Sequence, residues 1–136
     1  SDAQKCEGIS IKHDISVPPG RIAEFIAAGG AICEALLPGA RVNPFGHLGD
    51  GNIHYNLSPP VGAAGFGDAA GEIGLAVARL ASGMGGSFAA EHGLGRAKTG
   101  LADALRPAAE RGLMRAVKAA LDPEGIMNPG VVLAAR

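Results

Sequence analysis

The run GHLGDGNIHYN at residues 46–56 constrains the fold more than any other part of the chain. Asp50-Gly51 is a strong signal for a two-residue hairpin turn, because a type I′ turn needs positive φ at both central positions. A turn at these residues predicts that His47 and His54 are directly opposed on paired strands, with Cβ atoms about 4.5–5.5 Å apart. Two imidazoles at that spacing can reach one cation at roughly 2.0–2.1 Å. The hairpin therefore predicts a metal-binding pair, and a cross-strand polar pair without a ligand is the alternative.

Alternation along the hairpin separates a polar face from an apolar face. The same turn pairs Gly49 with Asn52 and Leu48 with Ile53. The polar face is predicted to carry Asn43, Phe45, His47, His54, Asn56 and Ser58, and the opposite face Val42, Leu48, Ile53, Tyr55 and Leu57. A one-residue slip would exchange the two sets. The apolar set is suited to packing under helices, so we expect the polar face to be open.

The rest of the chain reads as alternating strands and helices. Residues 8–17 alternate apolar and polar side chains, which is typical of a half-buried strand. The predicted order is a strand at 8–17, a helix ending at Pro38-Gly39, the hairpin at 41–58, a helix from Asp68 to about Met84, a strand at 87–91 and a last helix at 107–121. The first six elements follow the β-α-β-β-α-β order of a split βαβ, ferredoxin-like sandwich. We therefore expect an α+β fold with helices on one sheet face and a C-terminal helical extension.

Composition excludes several functional classes. The 136 residues make one domain, and the net charge of −1 gives no electrostatic footprint for nucleic acid or an anionic membrane. No apolar run approaches the roughly 20 residues that span a bilayer, and the N-terminus has no signal-peptide pattern. Cys6 and Cys33 do not form a disulfide framework or a CxxC site. They are interpreted as free thiols in a reducing cytoplasm.

A carboxylate on the last predicted strand completes the metal hypothesis. If Phe88 packs inward, Glu91 shares the open face with His47 and His54, and a His₂Glu set with an open position is a known set for a catalytic divalent ion. His92 follows Glu91 and precedes flexible glycines, so either a base beside the metal or a supporting histidine fits the sequence. Lys12 lies on the polar face of the first strand.

Four ordered blocks resemble a known family. GHLGDGNIHYN (46–56), AAEHGLG (89–95), LDPEGIMNPG (121–130) and IKHDISVP (11–18) resemble the C-terminal domain of FAD-linked oxidases. These enzymes belong to the vanillyl-alcohol oxidase superfamily, in the branch of D-lactate, glycolate and D-2-hydroxyglutarate dehydrogenases. The resemblance covers nearly the whole chain.

The resemblance implies roles for the residues of the first two blocks. The family's divalent metal (zinc, manganese or iron) is held by two histidines and a glutamate, which match His47, His54 and Glu91. The histidine after that glutamate is the family's proposed base and matches His92. The resemblance thus implies oxidation of a 2-hydroxy acid to the 2-oxo acid, with hydride transfer to FAD.

The resemblance also implies contacts to substrate and flavin. Lys12 and Asn56 match residues that contact substrate, and Asn128 of the MNPG tail matches a residue near the flavin. The family commonly has a lysine after NPG, where this chain has Val131, so a contact from that lysine is not carried over.

The resemblance assigns residues 1–136 to a substrate- and metal-binding domain whose N-terminal FAD-binding domain is a separate partner. No strand-turn-helix dinucleotide fingerprint occurs in the chain. We therefore expect this fragment alone to be inactive, and self-association could cover its polar sheet face. Two other functional classes stay open: a non-catalytic ferredoxin-like binding or oligomerisation module, and a His₂Glu metallohydrolase.

Overall fold

The computed structural model describes residues 8–134, which fall into two compact units that divide between Glu91 and His92. The N-terminal unit contains strands and helices, and the C-terminal unit contains helices only in its described part. The elements of the first unit are β1 (Ile11–Ser16), a 3₁₀ turn (Pro19–Arg21), α1 (Ile22–Leu36), β2 (Arg41–His47), β3 (Asn52–Ser58) and α2 (Ala69–Gly83). Those of the second are α3 (Thr99–Leu105) and α4 (Ala108–Leu121).

The three strands form an antiparallel sheet in the order β1-β3-β2, which confirms the predicted α+β class. The fourth strand predicted at 87–91 is wrong as a strand. Ser87 forms one antiparallel bridge with Ser16, through backbone hydrogen bonds of 2.8 and 2.9 Å. Beyond it, the backbone N–H of Glu91 donates to the Asp14 side chain instead of a strand carbonyl. This segment therefore lies beside β1 without continuing the ladder.

The hairpin reverses through Leu48–Gly51, a four-residue loop, and not through the predicted two-residue turn. His47 pairs with Asn52 and Phe45 with His54, so the predicted direct opposition of His47 and His54 is wrong, as are the pairs of Gly49 and Leu48. Gly51 docks on the end of β1, where its carbonyl accepts the Val17 N–H at 3.1 Å. A Cβ on Gly51, whose φ is +79°, would lie 1.9 Å from the Val17 carbonyl oxygen. Gly51 therefore contacts the end of β1 and also belongs to the loop that reverses the hairpin.

The register differs from the prediction by two residues, and because side chains alternate with period two, each predicted strand residue keeps its face. The expectation that the polar face is open is wrong for its β3 residues Asn56 and Ser58, which are buried. Ile53, Tyr55 and Leu57 are buried on the inner face, as predicted. Leu48, predicted to join them, lies in the loop and is 71% exposed.

The core lies between the inner sheet face and the two helices of the first unit. Tyr55 is fully buried, and its ring packs edge-on against Phe25 with 5.2 Å between ring centroids. Gly29 makes room for this packing, because a Cβ there would lie 2.7 Å from the Tyr55 hydroxyl oxygen. Cys33 is a buried free thiol, and burial raises its pKa. Cys6 lies outside the described residues.

The C-terminal unit contains one helix that the sequence did not predict, α3, and one that it did, α4. Asp122 follows α4 and is buried. Its carboxylate accepts the backbone N–H groups of Ile126 and Met127, each at 3.0 Å, and pairs with Lys118. Among residues 8–134, no helix is both long and apolar enough to cross a membrane.

Candidate metal centre

Three ligand-type side chains converge on the outer sheet face of the N-terminal unit. One ligand atom each from His47, His54 and Glu91 lies within 4.8 Å of the other two. His47 Nδ1 lies 3.0 Å from Glu91 Oε1. The structure thus brings together the three residues that the sequence singled out, and metal binding by them stays a prediction.

The two histidines meet diagonally across the hairpin. His54 lies opposite Phe45, and His47 lies one pleat further along β2 on the same face. Their ring centroids are 5.9 Å apart, and the ring planes are nearly perpendicular at 86°. Diagonal neighbours in an antiparallel sheet are within reach of long side chains. The diagonal arrangement therefore replaces the predicted opposed pair without separating the two imidazoles.

The donor set fits a divalent cation. In a tetrahedral zinc site, two ligand atoms at about 2.0–2.2 Å from the ion lie roughly 3.3–3.6 Å apart. His47 Nδ1 and Glu91 Oε1 are 3.0 Å apart, and the candidate atoms of all three residues lie within 4.8 Å of one another. The His47 and Glu91 side chains are 58% and 41% exposed, which leaves them room to rotate. Three protein ligands would leave a position for an exogenous ligand, as in catalytic zinc sites.

The backbone around Glu91 is held by β1. The Glu91 N–H donates to Asp14 Oδ2 at 2.8 Å, and the Ala90 N–H donates to the Asp14 carbonyl oxygen at 3.3 Å. Phe88 is buried, as its predicted inward packing requires. Asp14 was not among the site residues expected from sequence. The only available signal was its place on the polar face of β1.

The two substrate-binding candidates form a cross-strand pair next to the candidate ligands. Lys12 pairs with Asn56 in the β1–β3 ladder, and the next pair on that face is Asp14 with His54. Asn56 is also opposed by Asn43 of β2. Lys12 is exposed and Asn56 is 4% exposed. A row of polar side chains therefore continues from the histidines along one face.

Asn52 is a polar side chain of the same face that sequence reasoning did not single out. It is 4% exposed, and it pairs with Ser16 on one side and His47 on the other. Neither its amide nitrogen nor its amide oxygen has a hydrogen-bond partner among residues 8–134. A buried polar group without a partner typically costs about 1–3 kcal/mol.

The remaining predicted site residues belong to the C-terminal unit. His92, the expected base, follows Glu91 directly and is exposed. Asn128, the expected flavin neighbour, is exposed and has a left-handed φ of 47°. Its carbonyl oxygen accepts the Val131 N–H at 3.2 Å, which turns the chain at the NPG sequence.

Several known dehydrogenases are similar to this chain in sequence. The chain is 38% identical over 126 residues to a D-2-hydroxyglutarate dehydrogenase of Stutzerimonas stutzeri, a match that covers 91% of the chain and 27% of the relative. It is 35% identical over 130 residues to the mitochondrial D-2-hydroxyglutarate dehydrogenase of Bos taurus, covering 95% of the chain and 23% of the relative. A D-lactate dehydrogenase of Archaeoglobus fulgidus is 34% identical over 120 residues, covering 88% of the chain and 26% of that protein.

The chain therefore spans about a quarter of the length of these relatives. A sequence model of the family described as "FAD linked oxidases, C-terminal domain" matches residues 2–132. This match agrees with the resemblance carried by the four sequence blocks. The chain belongs to the family of C-terminal domains of FAD-linked oxidases.

Proposed function

We propose that this chain is the metal- and substrate-binding part of a flavin-dependent dehydrogenase that oxidises a D-2-hydroxy acid to the 2-oxo acid. The observation that carries the proposal is the convergence of His47, His54 and Glu91 on the outer sheet face, with ligand atoms within 4.8 Å. Relatives named for D-2-hydroxyglutarate and D-lactate support this substrate class.

A divalent cation held by these three residues would act as a Lewis acid and stabilise negative charge on the substrate hydroxyl oxygen. The substrate hydroxyl and one carboxylate oxygen would occupy the coordination positions that the protein leaves open. The side chains of His47 and Glu91 are 58% and 41% exposed, so these positions would be accessible.

Lys12 and Asn56 would orient the substrate along the same face. The Lys12 ammonium group would pair with a substrate carboxylate through a charge-assisted contact. Asn56, its cross-strand partner, would add an amide hydrogen bond. Because this pair neighbours the pair that contains His54, a small hydroxy acid can contact both the cation ligands and Lys12.

His92 would accept the proton of the substrate hydroxyl on a ring nitrogen. FAD, bound by a region outside this chain, would supply the hydride acceptor for the substrate Cα, and Asn128 would lie near the flavin. Loss of the proton and the hydride leaves the 2-oxo acid. The partner of this chain would be an FAD-binding domain. The free thiol of Cys33 fits a reducing compartment such as the cytoplasm.

The proposal is tested by zinc binding and by a chimera. Titration calorimetry of the chain with Zn²⁺ is expected to show one site, which His54→Ala removes. In the chimera, this chain replaces the matching region of the Stutzerimonas relative. We expect D-2-hydroxyglutarate or D-lactate to reduce the flavin of the chimera and bleach its absorbance. The L-enantiomers should not do so. His92→Ala should strongly slow flavin reduction by the D-enantiomers.

Two results would contradict the proposal. One is the absence of any zinc site in the folded chain, which favours a non-catalytic module. The other is zinc-dependent ester or amide hydrolysis by the chain without flavin, which favours a metallohydrolase. The unaltered Stutzerimonas enzyme is the positive control for flavin reduction.

A further inference from the structure

We infer that Asp14 is a positioning residue of the candidate metal centre. Its carboxylate holds the backbone that presents Glu91 and lies opposite the ring of His54. This inference rests on the proposed function, because it assigns a role within the same site. It adds a residue that touches neither metal nor substrate.

The first argument is the contact between Asp14 and Glu91. Asp14 is 4% exposed, and its Oδ2 accepts the Glu91 N–H at 2.8 Å. A hydrogen bond from a backbone amide to an ionised carboxylate is stronger than one between neutral groups. In a buried place it also offsets the cost of removing the carboxylate from water.

The second argument is how the described contacts connect this backbone to β1. Ser16 and Ser87 form one antiparallel bridge. Further along the segment, the Ala90 N–H donates to the Asp14 carbonyl oxygen at 3.3 Å, and the Glu91 N–H donates to the Asp14 carboxylate. Both of these contacts next to Glu91 therefore come from one residue, Asp14.

The third argument concerns His54. Asp14 and His54 are paired in the β1–β3 ladder, so their side chains leave the same face. A carboxylate oxygen of Asp14 and a ring nitrogen of His54 lie within 4.8 Å of each other. A histidine that binds metal through one nitrogen commonly has a carboxylate near the other, which fixes the ring and strengthens the ligand. Loss of such a partner typically costs about 10–100-fold in metal affinity.

The test compares Asp14→Ala, Asp14→Asn and the control Asp122→Asn. Zn²⁺ affinity is measured by competition with a chromogenic chelator, and exchange of the Glu91 amide proton by NMR. The amide oxygen of Asp14→Asn can still accept the Glu91 N–H, whereas Asp14→Ala cannot. Asp122→Asn removes the charge of another buried carboxylate that accepts backbone N–H groups, in the C-terminal unit.

We expect Asp14→Ala to bind zinc about 10–100-fold more weakly and to exchange the Glu91 amide faster. Asp14→Asn should keep the amide protected and bind zinc with intermediate affinity, while Asp122→Asn should bind as the unaltered chain does. Full zinc affinity in folded Asp14→Ala, unchanged amide exchange, or an equal loss in Asp122→Asn would overturn the inference.

If Asp14→Ala does not fold, the test uses Asp14→Asn. Zinc affinity of Asp14→Asn equal to that of the unaltered chain overturns the inference. Absence of zinc binding by the unaltered chain overturns the proposed function as well. The two failures are therefore distinguishable.

Discussion

Nδ1 of His47 lies 3.0 Å from Oε1 of Glu91, although one residue ends a hairpin strand and the other follows the second helix of the unit. Both side chains are about half exposed. A pair this exposed contributes only about 0–1 kcal/mol to stability. The contact therefore contributes little to folding, and it places two of the candidate ligand atoms side by side.

Replacing either His47 or Glu91 should lower metal affinity and leave the stability of the fold nearly unchanged. We expect His47→Ala and Glu91→Gln to lower Zn²⁺ affinity by more than the roughly 10–100-fold caused by loss of a supporting residue. The free energy of unfolding without metal should change by less than about 1 kcal/mol. Calorimetric titration and urea unfolding measure the two quantities.

Glu72→Gln is the matched control, because Glu72 is an exposed carboxylate of the same unit in the first turn of α2. Equal zinc affinity in Glu91→Gln and Glu72→Gln would contradict the ligand assignment. So would a large loss of stability in His47→Ala.

Gly29 and Gly30 offer a neighbouring pair with opposite expected effects. A methyl group at Gly29 would meet the Tyr55 hydroxyl oxygen at 2.7 Å, so Gly29→Ala should destabilise the chain by about 1–3 kcal/mol. A methyl group at Gly30 meets nothing within 4 Å, and Gly30→Ala inside a helix should stabilise by about 0.5–1 kcal/mol. Thermal unfolding of both variants measures the difference. Equal shifts would show that Tyr55 does not pack against α1.

Asp122 should make the stability of the C-terminal unit depend on pH. Its hydrogen bond with Lys118, followed by those from the Met127 and Ile126 amides, holds the pKa of its carboxyl below the ordinary value of 3.8. The stabilisation is therefore complete above that value and is lost as the pH falls through the lower native pKa. Unfolding of Asp122→Asn should show a smaller stability loss between neutral pH and acid than the unaltered chain. Parallel curves would rule out this role.

Asn52 should be replaceable by an apolar side chain of similar size at little cost. Its buried amide has no partner among residues 8–134, so Asn52→Leu removes an unmet desolvation cost of about 1–3 kcal/mol. We expect urea unfolding to show equal or greater stability. Ile53→Ala on the inner face is the contrasting variant and should lose about 2–5 kcal/mol. A loss of that size in Asn52→Leu would mean that the amide is hydrogen-bonded in solution.

The sheet faces were predictable from the sequence because they depend only on local alternation. Lys12 and Asp14 of β1, and His54 and Asn56 of β3, share a face as the two-residue period requires. The hairpin register was not predictable, because it depends on the docking of Gly51 against Val17, a contact between distant parts of the chain. Helix α3 is only seven residues long and shows too little periodicity to be recognised.

The candidate site was also only partly predictable from the sequence. His47 and His54 could be named from residue type and parity, since each depends on its own strand. Glu91 was named from the parity of a predicted strand that does not form, and its backbone is held instead by the Asp14 side chain. Asp14 could not be named, because an acidic residue alternating with Lys12 looks like a solvated surface position. Its burial arises when the segment at 87–91 lies against β1.

The Leu48–Gly51 loop determines how the two imidazoles are spaced. If the chain reversed through Asp50-Gly51 alone, with no residue deleted, one strand would shift along the other by two residues and the rings would lie opposite each other on the same face. A shift by one residue would turn one of the rings to the hydrophobic face. Register shifts at this reversal therefore keep both imidazoles on one face only in steps of two residues, and each such step changes the distance between the two nitrogen donors.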